Sequence, residues 1–423
     1  MKIVIFALGT RGDVQPPCVL GCELKRRGHQ VRVCTESRLK YVVDQYQLEY
    51  WEIKGDGAGI LLQKDVQDSL EKNDFSYPME KRKQMDLEIP ERLEGFYHAS
   101  KDQDLIISCP LTITEGYCIS FKLSIPNVLL ILQPNLPTSD IPNMMIFHKN
   151  LYFGFLNRLS YRLFDTVYAK YDQKRLENWL KFMDMPPLPW DYLSTYIKAD
   201  NQVVISAVDK VLMPSRQIPN DYLKDWYMPG FLFPKDINFN PIPQKLVDFL
   251  DAKEPPVVFG LGSMKIPNES VLDYVISACK RLRFRLVVLC NWSNYSTLED
   301  SETLIKLDNV DHLWLFPRSK AIIHHGGVGS TGAVLKSGTP SIITHLYADQ
   351  PYFAQRLEDL GVGIGMSLHT VTEQQIFNAL REITINTLYK QNALAISDEL
   401  NSTDATATSA DIVENTYKKY QNK

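Results

Sequence analysis

"AIIHHGGVGSTGAVLKSGTPSIITHLYADQP", residues Ala321 to Pro351, holds two short apolar runs separated by a glycine-rich turn and a helix-forming stretch. That order is the pattern of a strand, a crossover helix and a second, parallel strand. Gly326, Gly327 and Gly329 let backbone approach a ligand closely. The first turn of the following helix adds unpartnered N–H groups and the positive end of a dipole. An anion of diphosphate size matches this arrangement. Ser330 and Thr331 supply hydroxyl donors, and His325 can donate to a phosphate oxygen or help neutralise a leaving diphosphate. The competing reading is a bare strand-to-helix turn, against which two adjacent histidines before the glycines speak. No metal site is expected: His324 and His325, as strand neighbours, point to opposite faces, and no Cys or His stands at ligand spacing from them.

Outward from this unit the alternation continues. "KIVIF", "QVRVCT", "LEYWEI", "DLIISC" and "NVLLIL" read as strands in the first half; "PPVVFGLG", "RLVVLCN", "HLWLF", "AIIHH" and "PSIITHL" do so in the second. Helical stretches such as Val19 to Arg27, Ser270 to Arg283 and Tyr352 to Leu360 lie between them. The pattern restarts after a proline-rich break, Met228 to Pro256, that reads as a linker with a lead-in helix. The expected class is α/β, with two doubly wound, Rossmann-like domains whose parallel sheets face each other across a cleft. Expected boundaries are 1–235, 236–400, and a C-terminal helix over 401–423 that packs back on the first domain. No internal repeat or low-complexity tract interrupts this order.

With 423 residues, 44% of them hydrophobic, the chain has material for two or three cores. Its 46 basic and 50 acidic side chains leave a formal charge of -4, so no whole-molecule field draws nucleic acid. The opening apolar run is short and is followed at once by Arg11 and Asp13, which reads as a buried strand and not a secretory signal. No run reaches the roughly 20 apolar residues of a membrane span. Seven scattered cysteines point to a reducing cytosol. "DQD" at Asp102 to Asp104 precedes a strand and reads as its solvated lead-in, and His29 as structural. The segment Met144 to Met183 breaks the alternation: it is helical, aromatic and net basic. Two readings stay open for it, an ordinary packed helical pair, or a surface for an apolar acceptor or a membrane.

The block "HHGGVGSTGAVLKSG", "DQP", "WLFP", "FGLGSM" and the opening "GTRGDVQP", in this order, together with "PTSDIP", resemble the nucleotide-sugar-dependent glycosyltransferases of GT-B fold, and most closely the sterol 3-beta-glucosyltransferases. The resemblance spans most of the chain and is weakest from Met144 to Tyr227. It implies that the C-terminal domain binds a UDP-sugar as co-substrate, with Ser263, His325, Gly327, Gly329, Ser330 and Thr331 around the diphosphate. It puts Val310 and His312 at the nucleoside, and Asp349 and Gln350 at the hydroxyls of the transferred sugar. Many relatives hold the ribose with a glutamate in the glycine-rich helix, where this chain has Ala333.

By the same resemblance Asp13 is the general base. Thr10 and Arg11 reach the donor phosphates once the cleft closes. A capping aspartate at the start of a helix near Val14 is the alternative, and both roles can hold together. The implied reaction is inverting: a sugar, glucose from UDP-glucose, passes to a hydroxyl of an apolar, sterol-like acceptor to give a beta-glycoside. No metal or other cofactor is expected, and the enzyme is placed in the cytoplasm with peripheral membrane contact. A terpenoid, polyketide or lipid acceptor needs similar chemistry. A catalytically silent partner protein is the alternative of another class.

Overall fold

The computed structural model describes residues 1–57, 59, 63, 65, 89–147, 153–199, 202–234, 241–262, 270–290, 298–308 and 310–422. By its internal contacts the chain divides into two units, Met1–Lys235 with Asp404–Lys423, and Asp236–Thr403. The first is built on β1 (Lys2–Phe6), β2 (Gln30–Thr35), β3 (Glu49–Glu52), β4 (Leu105–Ser108), β5 (Asn127–Ile131), β6 (Val203–Ser206) and β7 (Trp226–Tyr227). They form one sheet in the order β3-β2-β1-β4-β5-β6-β7, with every pair parallel. Ile3 pairs with Val31 on one side and Leu105 on the other. Ile3 to Phe6 are wholly buried, as a strand covered on both faces requires.

The second unit holds β8 (Val257–Gly260), β9 (Leu286–Leu289), β10 (Leu304–Leu307), β11 (Ala321–His324), β12 (Ser341–His345) and β13 (Gly363–Ser367). Their order is β10-β9-β8-β11-β12-β13, again parallel throughout. Each sheet therefore reverses its winding once, between β1 and β4 and between β8 and β11. Ligands of open parallel sheets bind where the order reverses, beyond the carboxyl ends of the strands.

Several expectations are corrected. "HLWLF" is helical, not a strand: Asp311 caps a short helix, His312–Leu315, by accepting from Leu313 N, and Phe316–Arg318 continues it as a 3-10 turn. A five-residue apolar run has no period of its own, and the cap decided it. "VVIS", "LIKL" and "GIGMS" are strands β6, β10 and β13, short runs that the sequence pattern passed over. The first helix spans Arg11–Arg26, beginning three residues before Val14 and running through Pro16 and Pro17.

The lead-in "DQD" is held by basic neighbours: Lys2 N–H donates to Asp104 at 2.7 Å and Arg32 to Asp102 at 2.9 Å. The final helix, Ala405–Gln421, lies on the first. Arg27 bonds Glu23, Asp411 and Glu414, and His29 Nε2 sits 2.8 Å from Glu414. His29 thus has a structural task, as expected.

Within Met144 to Met183 the structure describes a 29-residue helix, Gly154–Phe182; residues 148–152 lie outside the described set. Its inward face is mixed: Tyr161, Ala169, Leu176, Trp179 and Leu180 are buried, and so are several polar side chains. Asn157, Ser160, Asp165 and Asp172 face inward, while Phe155, Leu159, Leu163 and Val167 are exposed. The inward polar groups are matched: Asp172 accepts from the Thr114 hydroxyl at 2.6 Å, the Tyr192 hydroxyl at 2.8 Å and Arg175 at 3.0 Å. A buried carboxylate satisfied in this way is tolerated where an unpaired one would not be. No described helix is long and apolar enough to cross a membrane.

Candidate active site

The glycine turn of the second unit sits at the winding reversal, where β8 and β11 run side by side with His324 opposite Gly260. Two glycines make room for one ring. A Cβ at Gly262 would come within 2.7 Å of His325 Cε1, and one at Gly327 within 2.4 Å of its Nε2. Gly326 has φ +89°, which favours glycine, and a Cβ there would stand 2.7 Å from Ile343 Cγ2. Gly329 differs from these three, because a Cβ on it would meet nothing within 4 Å.

Gly327 caps the helix Val328–Ser337, whose first N–H groups lack intrahelical acceptors. The helix ends in Gly338 with φ +63°. Ser330 lies part-exposed in the first turn, but Thr331 is wholly buried, so its hydroxyl is not on the turn's outer face.

Burial holds His325 down to about 4, so it is neutral at physiological pH in the free protein. What it offers an anion is a donated N–H. Of the two expected roles, donating to a phosphate oxygen needs no charge on the ring. His312 stacks on Phe316 with ring centres 4.5 Å apart and lines a small chamber together with Gly262, His324 and Ser330. Val310 is buried beside it in sequence.

Beyond β12, Ala348 takes φ +57° in the loop that carries Asp349, a left-handed conformation that costs an alanine about 1–2 kcal/mol. Gln350 is buried, and its Oε1 accepts from Leu346 N at 2.8 Å, which stiffens the same loop. A Cβ on Gly326 would be 3.5 Å from Gln350 Cβ, so the two predicted sites, turn and sugar loop, adjoin. Ser263 lies outside the described residues.

In the first unit, the turn after β1 holds Thr10, Arg11 and Asp13. Thr10 is the N-cap of the helix Arg11–Arg26 and Asp13 its third residue. Asp13 Oδ2 accepts from Thr10 N at 2.7 Å and from the Thr10 hydroxyl at 2.9 Å, closing a capping box. The alternative reading, a capping aspartate, holds in altered form: Thr10 is the N-cap and Asp13 supports it from inside the helix. Gly9, at φ +121°, must be glycine: its Cβ would stand 2.4 Å from Asp13 Oδ2. Among the described residues no donor reaches Oδ1. Desolvation raises the Asp13 pKa, and the two Thr10 hydrogen bonds offset part of that rise. One oxygen is anchored and the other is left for a proton. Arg11 is occupied in part, donating to Gln15 at 3.0 Å, and the Thr10 hydroxyl is spent on Asp13.

Residues 3–90 match the glycosyltransferase family 28 N-terminal domain, and residues 292–416 the C-terminal domain of the erythromycin biosynthesis protein CIII-like family. The chain is 28% identical to a sterol 3-beta-glucosyltransferase of Komagataella phaffii over 95% of its own length and 33% of that protein's. It is 29% identical to one of Arabidopsis thaliana, over 86% and 57%. The glycosyltransferase of kitacinnamycin superposes with a TM-score of 0.72 at 16% identity, covering 98% of each chain. The glycosyltransferase VinC, solved in complex with DTDP, does so at 0.69 and 16%, covering 99% and 100%. The chain has the fold of the GT-B glycosyltransferases. It spans about a third of the length of the fungal relatives it matches.

At this site, sequence reasoning placed the turn and missed what shapes it. Gly262 was not singled out, although its role, making room for His325, is as specific as that of Gly327. The "FGLG" strand end was the available signal. The Thr10 anchor on Asp13 was also missed, though Thr-x-x-Asp is a capping-box spacing.

Proposed function

We propose that the protein transfers a sugar, glucose from UDP-glucose, with inversion to a hydroxyl of an apolar, sterol-like acceptor. The observation that carries this is the division of labour within Asp13: Oδ2 held by Thr10, Oδ1 open. For transfer, the acceptor hydroxyl has to meet both Oδ1 and the anomeric carbon of the donor. Its proton goes to Oδ1 as the oxygen attacks that carbon, and the carbon–oxygen bond to UDP breaks on the opposite face. An alpha-linked donor then gives a beta-glycoside. A raised carboxylate pKa makes Asp13 a better proton acceptor than an ordinary aspartate, which an alcohol needs.

The charge that grows on the diphosphate is taken by the N–H groups of Val328, Gly329 and Ser330 and by the His325 N–H. These fixed dipoles do the work a metal ion does in other transferases, and we expect no metal requirement. Among the described residues no three His, Cys, Asp or Glu side chains converge. Asp349 is assigned to the sugar hydroxyls and His312 to the nucleoside.

For the acceptor side, the supporting feature is the outer face of the helix Gly154–Phe182. Phe155, Leu159, Leu163 and Val167 recur every fourth residue and are 45–71% exposed, with Arg162 and Lys170 among them. An apolar row edged by basic groups suits the surface of an anionic bilayer, where a sterol-like acceptor resides. The test is product analysis by mass spectrometry with UDP-glucose, other nucleotide sugars and a panel of sterols, terpenoids and polyketides. A sterol beta-glucoside is the expected product. Transfer confined to another acceptor class would replace the sterol assignment, and an alpha-glycoside would overturn the role given to Asp13.

A further inference from the structure

His324, the last residue of β11, has no part in the chemistry assigned so far, yet its ring is 1% exposed. Nδ1 lies 3.2 Å from Gly326 N, and because that N–H can only donate, Nδ1 accepts. The proton of the neutral ring is therefore on Nε2. Burial and the nearby imidazoles of His325 and His312 keep the ring neutral, holding it down to about 3. A side chain accepting from the N–H two residues on is the geometry of an Asx turn, here made by a histidine.

The other nitrogen faces a different task. Among the described residues Nε2 meets no acceptor, and His324 lines a chamber of about 10 Å³ with His312, Phe316, Leu289, Gly262 and Ser330. That is the scale of one water-sized group. Gly262 and Ser330 also border the turn around His325, so the chamber lies directly behind the proposed diphosphate site. A buried donor without an acceptor is costly, and one oxygen in the chamber removes the cost.

We propose that His324 is a positioning residue for the donor: Nδ1 sets the diphosphate turn through Gly326, and Nε2–H takes a single oxygen in the chamber behind it. This rests on the glycine turn being the donor site. The oxygen belongs either to the bound nucleotide or to an ordered water.

Three variants separate the parts. His324→Phe removes both functions. His324→Asn keeps an acceptor where Nδ1 stands and can remake the turn. His324→Gln keeps a donor near Nε2 and loses the turn acceptor. Donor KM and kcat are measured, with calorimetry of UDP and of inorganic diphosphate. Phe is expected to raise donor KM about tenfold with kcat within about threefold, the effect of one lost hydrogen bond on binding. Gln is expected to weaken inorganic diphosphate as Phe does, and Asn to restore it to within about threefold of wild type.

If Asn still binds UDP about tenfold weakly, the chamber oxygen is the nucleotide's; if UDP affinity returns too, it is water. The proposal falls if Phe leaves donor KM and UDP affinity within about twofold, or if Asn is as poor as Phe towards inorganic diphosphate. Should Phe fail to fold, the Asn and Gln pair carries the same test. Gly329→Ala serves as the control on the underlying assignment: if it leaves UDP binding intact, the donor site itself is misplaced. If it weakens UDP while the His324 variants do not, only the role of His324 is lost.

Discussion

Alanine at Gly329 is the sharpest perturbation the donor turn allows, because the free protein has no use for a glycine there. The residue is exposed, second in the helix Val328–Ser337, and a Cβ on it meets nothing within 4 Å. Alanine in place of glycine in a helix should raise stability by about 0.5–1 kcal/mol. A diphosphate oxygen bonded to the N–H groups of this turn lies about 2.9 Å from their nitrogens, in the space the new methyl would crowd. UDP affinity should then fall by about 10- to 100-fold, the equivalent of roughly 1.4–2.7 kcal/mol.

Gly327→Ala provides the contrast. Its Cβ would stand 2.4 Å from His325 Nε2, so the ring has to move. That variant should lose about 1–3 kcal/mol of stability, as overpacked sites do, together with UDP binding. Calorimetry with UDP and urea unfolding read the two quantities separately. Wild-type UDP affinity in Gly329→Ala would refute the close approach of a phosphate, and with it the location of the donor.

Asp13→Asn keeps an acceptor for Thr10 and removes the base: turnover should fall roughly 10²- to 10⁴-fold with UDP affinity unchanged, whereas Asp13→Ala should also cost about 1 kcal/mol in urea unfolding through the lost capping box. Because desolvation raises the Asp13 pKa, the acid limb of kcat/KM should lie above the ordinary carboxylate range and disappear from the residual activity of the Asn variant. His325, held to about 4 when folded, refuses a proton that the unfolded chain accepts near 6.5, so it should cost up to about 3 kcal/mol of stability as pH drops between those values, and His325→Gln should reduce the loss in a urea series while the share of His324 remains. Ala348→Gly should relieve the left-handed strain and add about 0.5–1 kcal/mol to stability while raising donor KM, since the loop carrying Asp349 loosens. Leu159→Lys with Leu163→Lys should abolish sedimentation with anionic liposomes at little cost in stability, as both side chains are exposed; Arg158 is the wrong residue for that assay, because it is paired with Asp221 at 2.7 Å.

The sheets were legible because parallel strands are buried on both faces and announce themselves as apolar runs; Ile3 to Phe6 and Ala321 to His324 needed no tertiary knowledge. What escaped was set by partners distant in sequence. The ring of His325 needs Gly262, which the parallel register of β8 and β11 brings beside it across more than sixty residues. The helix Gly154–Phe182 can bury a carboxylate beside Leu176 and Trp179 because Asp172 finds Thr114, Tyr192 and Arg175, and no periodicity along the helix encodes those three. Asp13 joins both kinds of information. Its neighbours in sequence suffice to suggest either a base or a cap, and these looked like competitors because a side chain was treated as one group. The carboxylate has two oxygens, and the fold uses them differently: Thr10 claims Oδ2 through a three-residue reach that sequence contains, and no described group donates to Oδ1, which only the packed structure contains. On the proposed reading, the cap is therefore what aims the base. A carboxylate free to rotate would offer either oxygen at random angles, whereas one pinned by Oδ2 presents Oδ1 in a single direction, which is the condition general-base catalysis imposes on geometry before pKa.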